Sequence, residues 1–223
     1  MAQFKILFCL TVIFVLFAIA VGQANYCSIC RDHTMCKPHY TKPNCRTQQY
    51  GLTAEQRNKI VSEHNRYRQL VASGNEKRGS PRGPQPKAKS MPNMVWDNEI
   101  ANIAQTQANS CIYAHDSCRN VQRFQVGQNI AQWPVAKGRP PQKVEALVKL
   151  WYDEVEKFNP AMVENFVFEA KTGHYTQMLW AQTTRIGCGY VNYEKNGQYN
   201  VYLVCNYGPS GNVRGGKVYE IRR

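Results

Sequence analysis

Gly173-His174-Tyr175-Thr176-Gln177-Met178-Leu179-Trp180 sets an imidazole in a short apolar run, directly after Lys171-Thr172. Such a ring needs a partner, because it titrates near neutral pH and burial opposes its charged form. Two candidate partners stand elsewhere: His64, in His64-Asn65-Arg66-Tyr67-Arg68, and Glu154, in Trp151-Tyr152-Asp153-Glu154. Ile60, His64, Tyr67 and Val71 recur at i, i+4, i+7 and i+11, and so do Leu147, Trp151, Glu154 and Phe158. That is the period of one helix face. The spacing predicts that His64 and Glu154 lie on buried stripes, while Glu63, Arg66, Asp153 and Glu156 face away.

Local signals bound these helices. Thr53-Ala54-Glu55-Gln56 reads as a capping box, with a hydroxyl at the N-cap and Gln at N3, and Gly74 reads as the stop. The prolines from Pro81 to Pro92 exclude a helix there and predict a basic loop. Asp97 caps the next helix, with Ile100, Ala101, Ala104 and Ala108 inward; its small alanines permit close packing. Pro140-Pro141 is expected to open the helix that carries Glu154, and Pro160 to end it. Gly127-Gln128-Asn129-Ile130-Ala131 is ambiguous. Asn196-Gly197 is a strong type I′ turn signal between Gly187–Tyr193 and Tyr199–Cys205. Counting outward from that turn in equal steps sets Cys188 opposite Cys205, at a non-hydrogen-bonded pair where Cα atoms lie ~4.5 Å apart, inside disulfide range.

The chain of 223 residues carries nine cysteines. Lys5, the apolar run Ile6–Val21 and the small residues Gly22-Gln23-Ala24 have the pattern of a secretory signal peptide over residues 1–24. The run falls short of the ~20 residues that span a bilayer, and no later stretch is apolar enough. Cys9 leaves with this segment. The eight that remain, in an exported chain, read as disulfides rather than as a zinc ribbon. Residues 25–51 hold Cys27, Cys30, Cys36 and Cys45 with no periodicity. They are expected to form an irregular arm stapled to the body through Cys111 and Cys118. Residues 52–223 are expected to form one domain.

Lys and Arg number 28 against 15 Asp and Glu, a formal charge of +13. The charge is spread along the chain, which fits solubility or attraction to acidic surfaces. No nucleic-acid motif accompanies it. No Asn-x-Ser/Thr sequon follows residue 24.

Four ordered motifs carry a resemblance. Gly173-His174-Tyr175-Thr176-Gln177 with Trp180, and Tyr202-Leu203-Val204-Cys205-Asn206-Tyr207-Gly208-Pro209-Ser210-Gly211-Asn212, resemble two signatures of the CAP superfamily. That superfamily groups cysteine-rich secretory proteins, antigen five and plant pathogenesis-related proteins. His64-Asn65-Arg66-Tyr67-Arg68 and Gly127-Gln128-Asn129-Ile130 resemble two shorter ones. Asn25-Tyr26-Cys27, Gly83-Pro84-Gln85-Pro86 and Met91-Pro92-Asn93-Met94-Val95-Trp96-Asp97 are similar to insect venom allergens of the antigen five group.

The resemblance implies an α+β fold: a three-layer α-β-α sandwich with a central antiparallel sheet. It also implies the pairs Cys27–Cys36, Cys30–Cys118 and Cys45–Cys111. It implies a central cleft of His64, Gln128, Glu154 and His174, with Gln128 where the family has an acid. A neutral amide is no base and brings no charge to a cation. His64 and His174 would still hold zinc weakly, with no cofactor required. His115, between two cysteines, reads as an exposed loop residue.

Three functions follow. A metal-dependent hydrolase would use His64, Glu154 and His174, but neither His-Glu-x-x-His nor Gly-x-Ser-x-Gly is present. The resemblance also implies a carrier of sterols or fatty acids in a groove outside the cleft. The expectation taken forward is a secreted, extracellular, monomeric and non-enzymatic protein that binds a host or extracellular protein, without nucleic acid and without a membrane span.

Overall fold

The computed structural model describes residues 25–37 and 42–223. The expected signal peptide lies outside them. The arm opens with a short helix α1 (Tyr26–Ile29) and a 3-10 turn (Thr34–Cys36). It is less irregular than its sequence suggests, because Arg46–Tyr50 forms strand β1 at the sheet edge. Helix α2 (Ala54–Ala72) begins at the expected capping box, with Thr53 Oγ1 accepting from the Gln56 N–H. Strand β2 (Val95–Trp96) leads into α3 (Asn98–Ala108), whose N-cap Asp97 accepts from the N–H groups of Glu99 and Ile100. The ambiguous segment becomes β3 (Gly127–Val135).

Helix α4 departs from expectation. It spans Val144–Tyr152, so Pro140 and Pro141 precede it rather than open it. The chain then tightens into a 3-10 turn over Asp153–Lys157. The stripe ending in Glu154 and Phe158 therefore crosses two helix types, and Pro160 starts a separate turn. Helix α5 (Gly173–Leu179) carries the opening motif. Strands β4 (Arg185–Lys195) and β5 (Gln198–Gly208) close the chain as a hairpin.

The sheet order is β1-β4-β5-β3, antiparallel throughout, with the short β2 adding parallel to the start of β4. Asn196 and Gly197 both take positive φ, as a type I′ turn demands. Cys188 faces Cys205 in the ladder, with Cα atoms 4.1 Å apart across the disulfide. The other bridges join Cys27 to Cys36, Cys30 to Cys118 and Cys45 to Cys111.

Helix α3 covers one face of the sheet through Ala104 and Ala108 against Val191, Tyr193, Tyr202 and Val204. The approach is close enough that a Cβ on Gly189 would stand 2.3 Å from the Gln105 backbone. Helices α2, α4 and α5 cover the other face. There Ile60, Leu147, Trp151, Met178 and Leu179 pack with Leu203 and Tyr207 into the main core. These two helical layers around the sheet make the α-β-α sandwich.

Arg68 is buried on α2 and ties this layer to the loops. Its guanidinium donates to the carbonyls of Pro92, Met178, Trp180 and Ala181. Trp151 Nε1 donates to the Ile130 carbonyl at 3.1 Å, which fixes α4 on β3 and so places the turn bearing Glu154.

Candidate functional site

Glu154 and His174 meet. Glu154 Oε1 accepts from His174 Nδ1 at 2.6 Å. Oε2 accepts from the backbone N–H of His174 at 2.9 Å and of Tyr175 at 3.1 Å. The carboxylate thus takes two of the first N–H groups of α5, which have no partner inside the helix. It also fixes the ring's tautomer. With Nδ1 donating, Nε2 keeps its lone pair, and among the described residues nothing donates to it.

Gln128, on β3, extends the site in a direction the sequence did not indicate. Its Oε1 lies 2.7 Å from Nδ1 of His115. Its Nε2 donates to Asp116 Oδ1 at 3.0 Å and to Asn206 Oδ1 at 3.1 Å. His115 is exposed, as expected, but its ring is a partner of the cleft. Partial desolvation of the ring lowers its pKa, against the hydrogen bond with Gln128, which raises it, and the charge of Arg119 lowers it further. His115 and His174 each have Nδ1 engaged and leave Nε2 without a partner among the described residues.

His64 does not belong to it. The helical spacing correctly marked it as buried, and its exposure is 0%. Both ring nitrogens are consumed there: Nδ1 donates to the Ile60 carbonyl, and Nε2 accepts from the Tyr207 hydroxyl, each at 2.8 Å. Burial pushes its pKa down to about 4. Its ring lies 6.4 Å from Trp151, which in turn stacks 6.1 Å from His174, so the core indole neighbours both histidines. The expectation that His64 lines the cleft and ligates a metal is corrected to a core histidine that supports it. Tyr207 carries the support onward, accepting from Asn129 Nδ2, which also donates to the His174 carbonyl.

Among the described residues no group of three His, Cys, Asp or Glu is placed to hold a metal. Zinc's usual sites supply three or four protein ligands.

A model of the cysteine-rich secretory protein family matches residues 61–207. The chain belongs to that family. This CAP protein is 50% identical to venom allergen 5 of Vespula vidua over 208 residues, which cover 89% of this chain and 99% of the relative. It is 49% identical to venom allergen 5 of Dolichovespula arenaria over 205 residues, 88% of this chain and 98% of the relative. Among solved structures, BmVAL-1 matches with a TM-score of 0.66 at 29% identity, covering 82% of this chain and 87% of that one. NaASP2 with Zn2+ matches with a TM-score of 0.61 at 30% identity, covering 81% and 92%. The protein is thus a venom-allergen-like member of the CAP family, and its antiparallel sheet, helical layers and four disulfides fit that fold. His115 escaped the sequence reading as a cleft residue, and so did Asp116 and Asn206, the partners of Gln128. The available signal for His115 was its place between Cys111 and Cys118, since two bridges to the arm leave the intervening loop little freedom.

Proposed function

We propose that this CAP protein is secreted and non-enzymatic, and that it acts as a monomer by binding an extracellular protein across the cleft. The observation that carries this reading is the engagement of both Glu154 oxygens. Its oxygens accept from one imidazole and two backbone N–H groups. A carboxylate so engaged anchors α5 and orients His174, which fits a positioning role rather than that of a free general base. Among the described residues every cysteine is bridged, so none offers a thiolate nucleophile.

Exposed apolar side chains flank the site. Tyr113 is 50% exposed, and its hydroxyl feels the Glu154 charge. Val167 and Phe168 are 56% and 45% exposed, with Phe168 packed on Gly173 at the start of α5. Large apolar groups around a polar centre resemble a recognition surface. The test is equilibrium binding of labelled protein to extracellular proteins and cell surfaces of a host. Tyr113→Ala and Phe168→Ala should each weaken binding about tenfold or more, and Val95→Ala, on a distant edge, should not. Equal binding by all three, or turnover of an ester or peptide that disappears in His174→Ala, contradicts the reading.

Within the same reading, zinc is an optional ligand of His115 and His174, and imidazole suits that ion. It would lend the cleft a positive charge.

A second reading, a carrier of a small hydrophobic ligand, is favoured by one cavity. It lies apart from the cleft, has a volume of about 610 Å³ and is lined by Pro92, Trp180, Val213 and Tyr219 among others. Ligand pockets span roughly 300–1,000 Å³. A sterol or fatty acid that co-purifies with the protein and is displaced by Gln182→Trp, on the cavity wall, would support it; co-purification undisturbed by that substitution would not.

A further inference from the structure

The two cleft imidazoles are held by different chemistry. His174 leans on a carboxylate, whereas His115 leans on a neutral amide. An amide can face either way, so His115 is fixed only if Gln128 is fixed. Two acceptors do this. Gln128 Nε2 lies 3.0 Å from Asp116 Oδ1 and 3.1 Å from Asn206 Oδ1. Asn206 has its own NH2 committed to the Ile100 carbonyl, so its oxygen faces Gln128. A carboxylate only accepts, which requires the NH2 of Gln128 to face Asp116 and its carbonyl to face His115. That carbonyl in turn requires the proton of a neutral His115 to sit on Nδ1.

Asp116 is buried and is itself held from two sides. Arg119 pairs with Oδ1, the same oxygen that receives Gln128. The hydroxyl of Thr34, in the arm, donates to Oδ2. Thr34 is fully buried, and its backbone N–H donates to the Cys118 carbonyl at 2.9 Å. The Cys30–Cys118 disulfide closes the same junction.

We propose that Asp116 is a positioning residue through which the cysteine-rich arm sets His115: Thr34 orients Asp116, Asp116 orients the Gln128 amide, and the amide fixes His115 with its Nε2 lone pair toward the cleft. Gln128 then does the orienting task of a carboxylate without its charge. This rests on the reading of His115 and His174 as the pair that meets a ligand. Outer partners of this kind commonly change metal affinity by about 10–100-fold.

The experiment reads two quantities on the full disulfide-bonded chain at pH 8. Long-range 1H–15N correlation spectra give the His115 tautomer, and calorimetry gives the affinity for zinc. The wild type should show the proton on Nδ1. In Asp116→Ala the Arg119 guanidinium is left facing the amide and favours its carbonyl, so a substantial Nε2–H population should appear and zinc binding should weaken about tenfold or more. Thr34→Val keeps the Asp116–Arg119 pair, so it folds even where Asp116→Ala does not, and it should move both readouts in the same direction by a smaller step. A wild type with the proton on Nε2, or a Thr34→Val tautomer identical to wild type, overturns the proposal. A tautomer that shifts as expected in a protein that never binds zinc supports the positioning role and removes zinc as the ligand, which separates the two readings.

Discussion

Nδ1 of His174 and Oε1 of Glu154 lie 2.6 Å apart, and the second oxygen of the same carboxylate accepts from two N–H groups at the start of α5. One side chain therefore holds both the helix and the orientation of its histidine. Glu154→Ala should lower stability by about 2–3 kcal/mol, since it orphans three donors at once. Urea unfolding measures this. A loss below about 0.5 kcal/mol would mean that water replaces the carboxylate and that the anchor role is wrong.

His64 makes the protein sensitive to acid. Its pKa falls from 6.5 to about 4 on folding, chiefly through burial. A depressed histidine pKa means that the unfolded chain takes up a proton first. Stability is complete above pH 6.5, falls as pH drops towards 4, and levels below that. The loss is about 3 kcal/mol over the window. The urea midpoint followed from pH 7 to 4 should fall more steeply in wild type than in His64→Gln, which does not titrate.

Arg68 donates to four carbonyls from the interior. Arg68→Met keeps much of the volume and removes every donor. Buried carbonyls without partners cost about 1–3 kcal/mol each, so the variant should lose more than about 3 kcal/mol in a chemical denaturation curve. Arg68→Lys, with one point charge for a planar fork, should recover only part of it.

The Cys188–Cys205 bridge closes the β4–β5 hairpin, with the two residues 17 apart in sequence. Replacing both by Ala should cost roughly 3 kcal/mol on the loop-entropy account. The remaining three bridges should still form, as peptide mapping under non-reducing conditions would show.

This bridge was legible because its argument is local: Asn196-Gly197 names the turn, the turn sets the register, and the register pairs the cysteines. The capping box at Thr53 was legible for the same reason. Helical spacing also identified the buried face of α2. It did not say what that face would meet, and His64 met Ile60 and Tyr207 rather than a cleft. Arg68 shares that helix and reads as polar, because nothing local announces four carbonyls waiting in distant loops. Glu154 was selected by a spacing that assumes one continuous α-helix, whereas the chain changes to a 3-10 turn at Asp153. His115 sits in a loop with no period at all. Its place depends on Gln128, thirteen residues away, and on disulfides to an arm that the sequence places nowhere in space.

The pairing of His115 with His174, and the exclusion of His64, is the claim on which the account of the site turns. Histidine-directed acylation of the folded, oxidised protein with diethylpyrocarbonate, mapped by peptide mass spectrometry, tests it most directly. His115 and His174 should react, since each leaves Nε2 without a partner among the described residues, while His64 should stay protected until the chain unfolds. Reaction of native His64 at a rate matching His174, or protection of His115, would contradict the account.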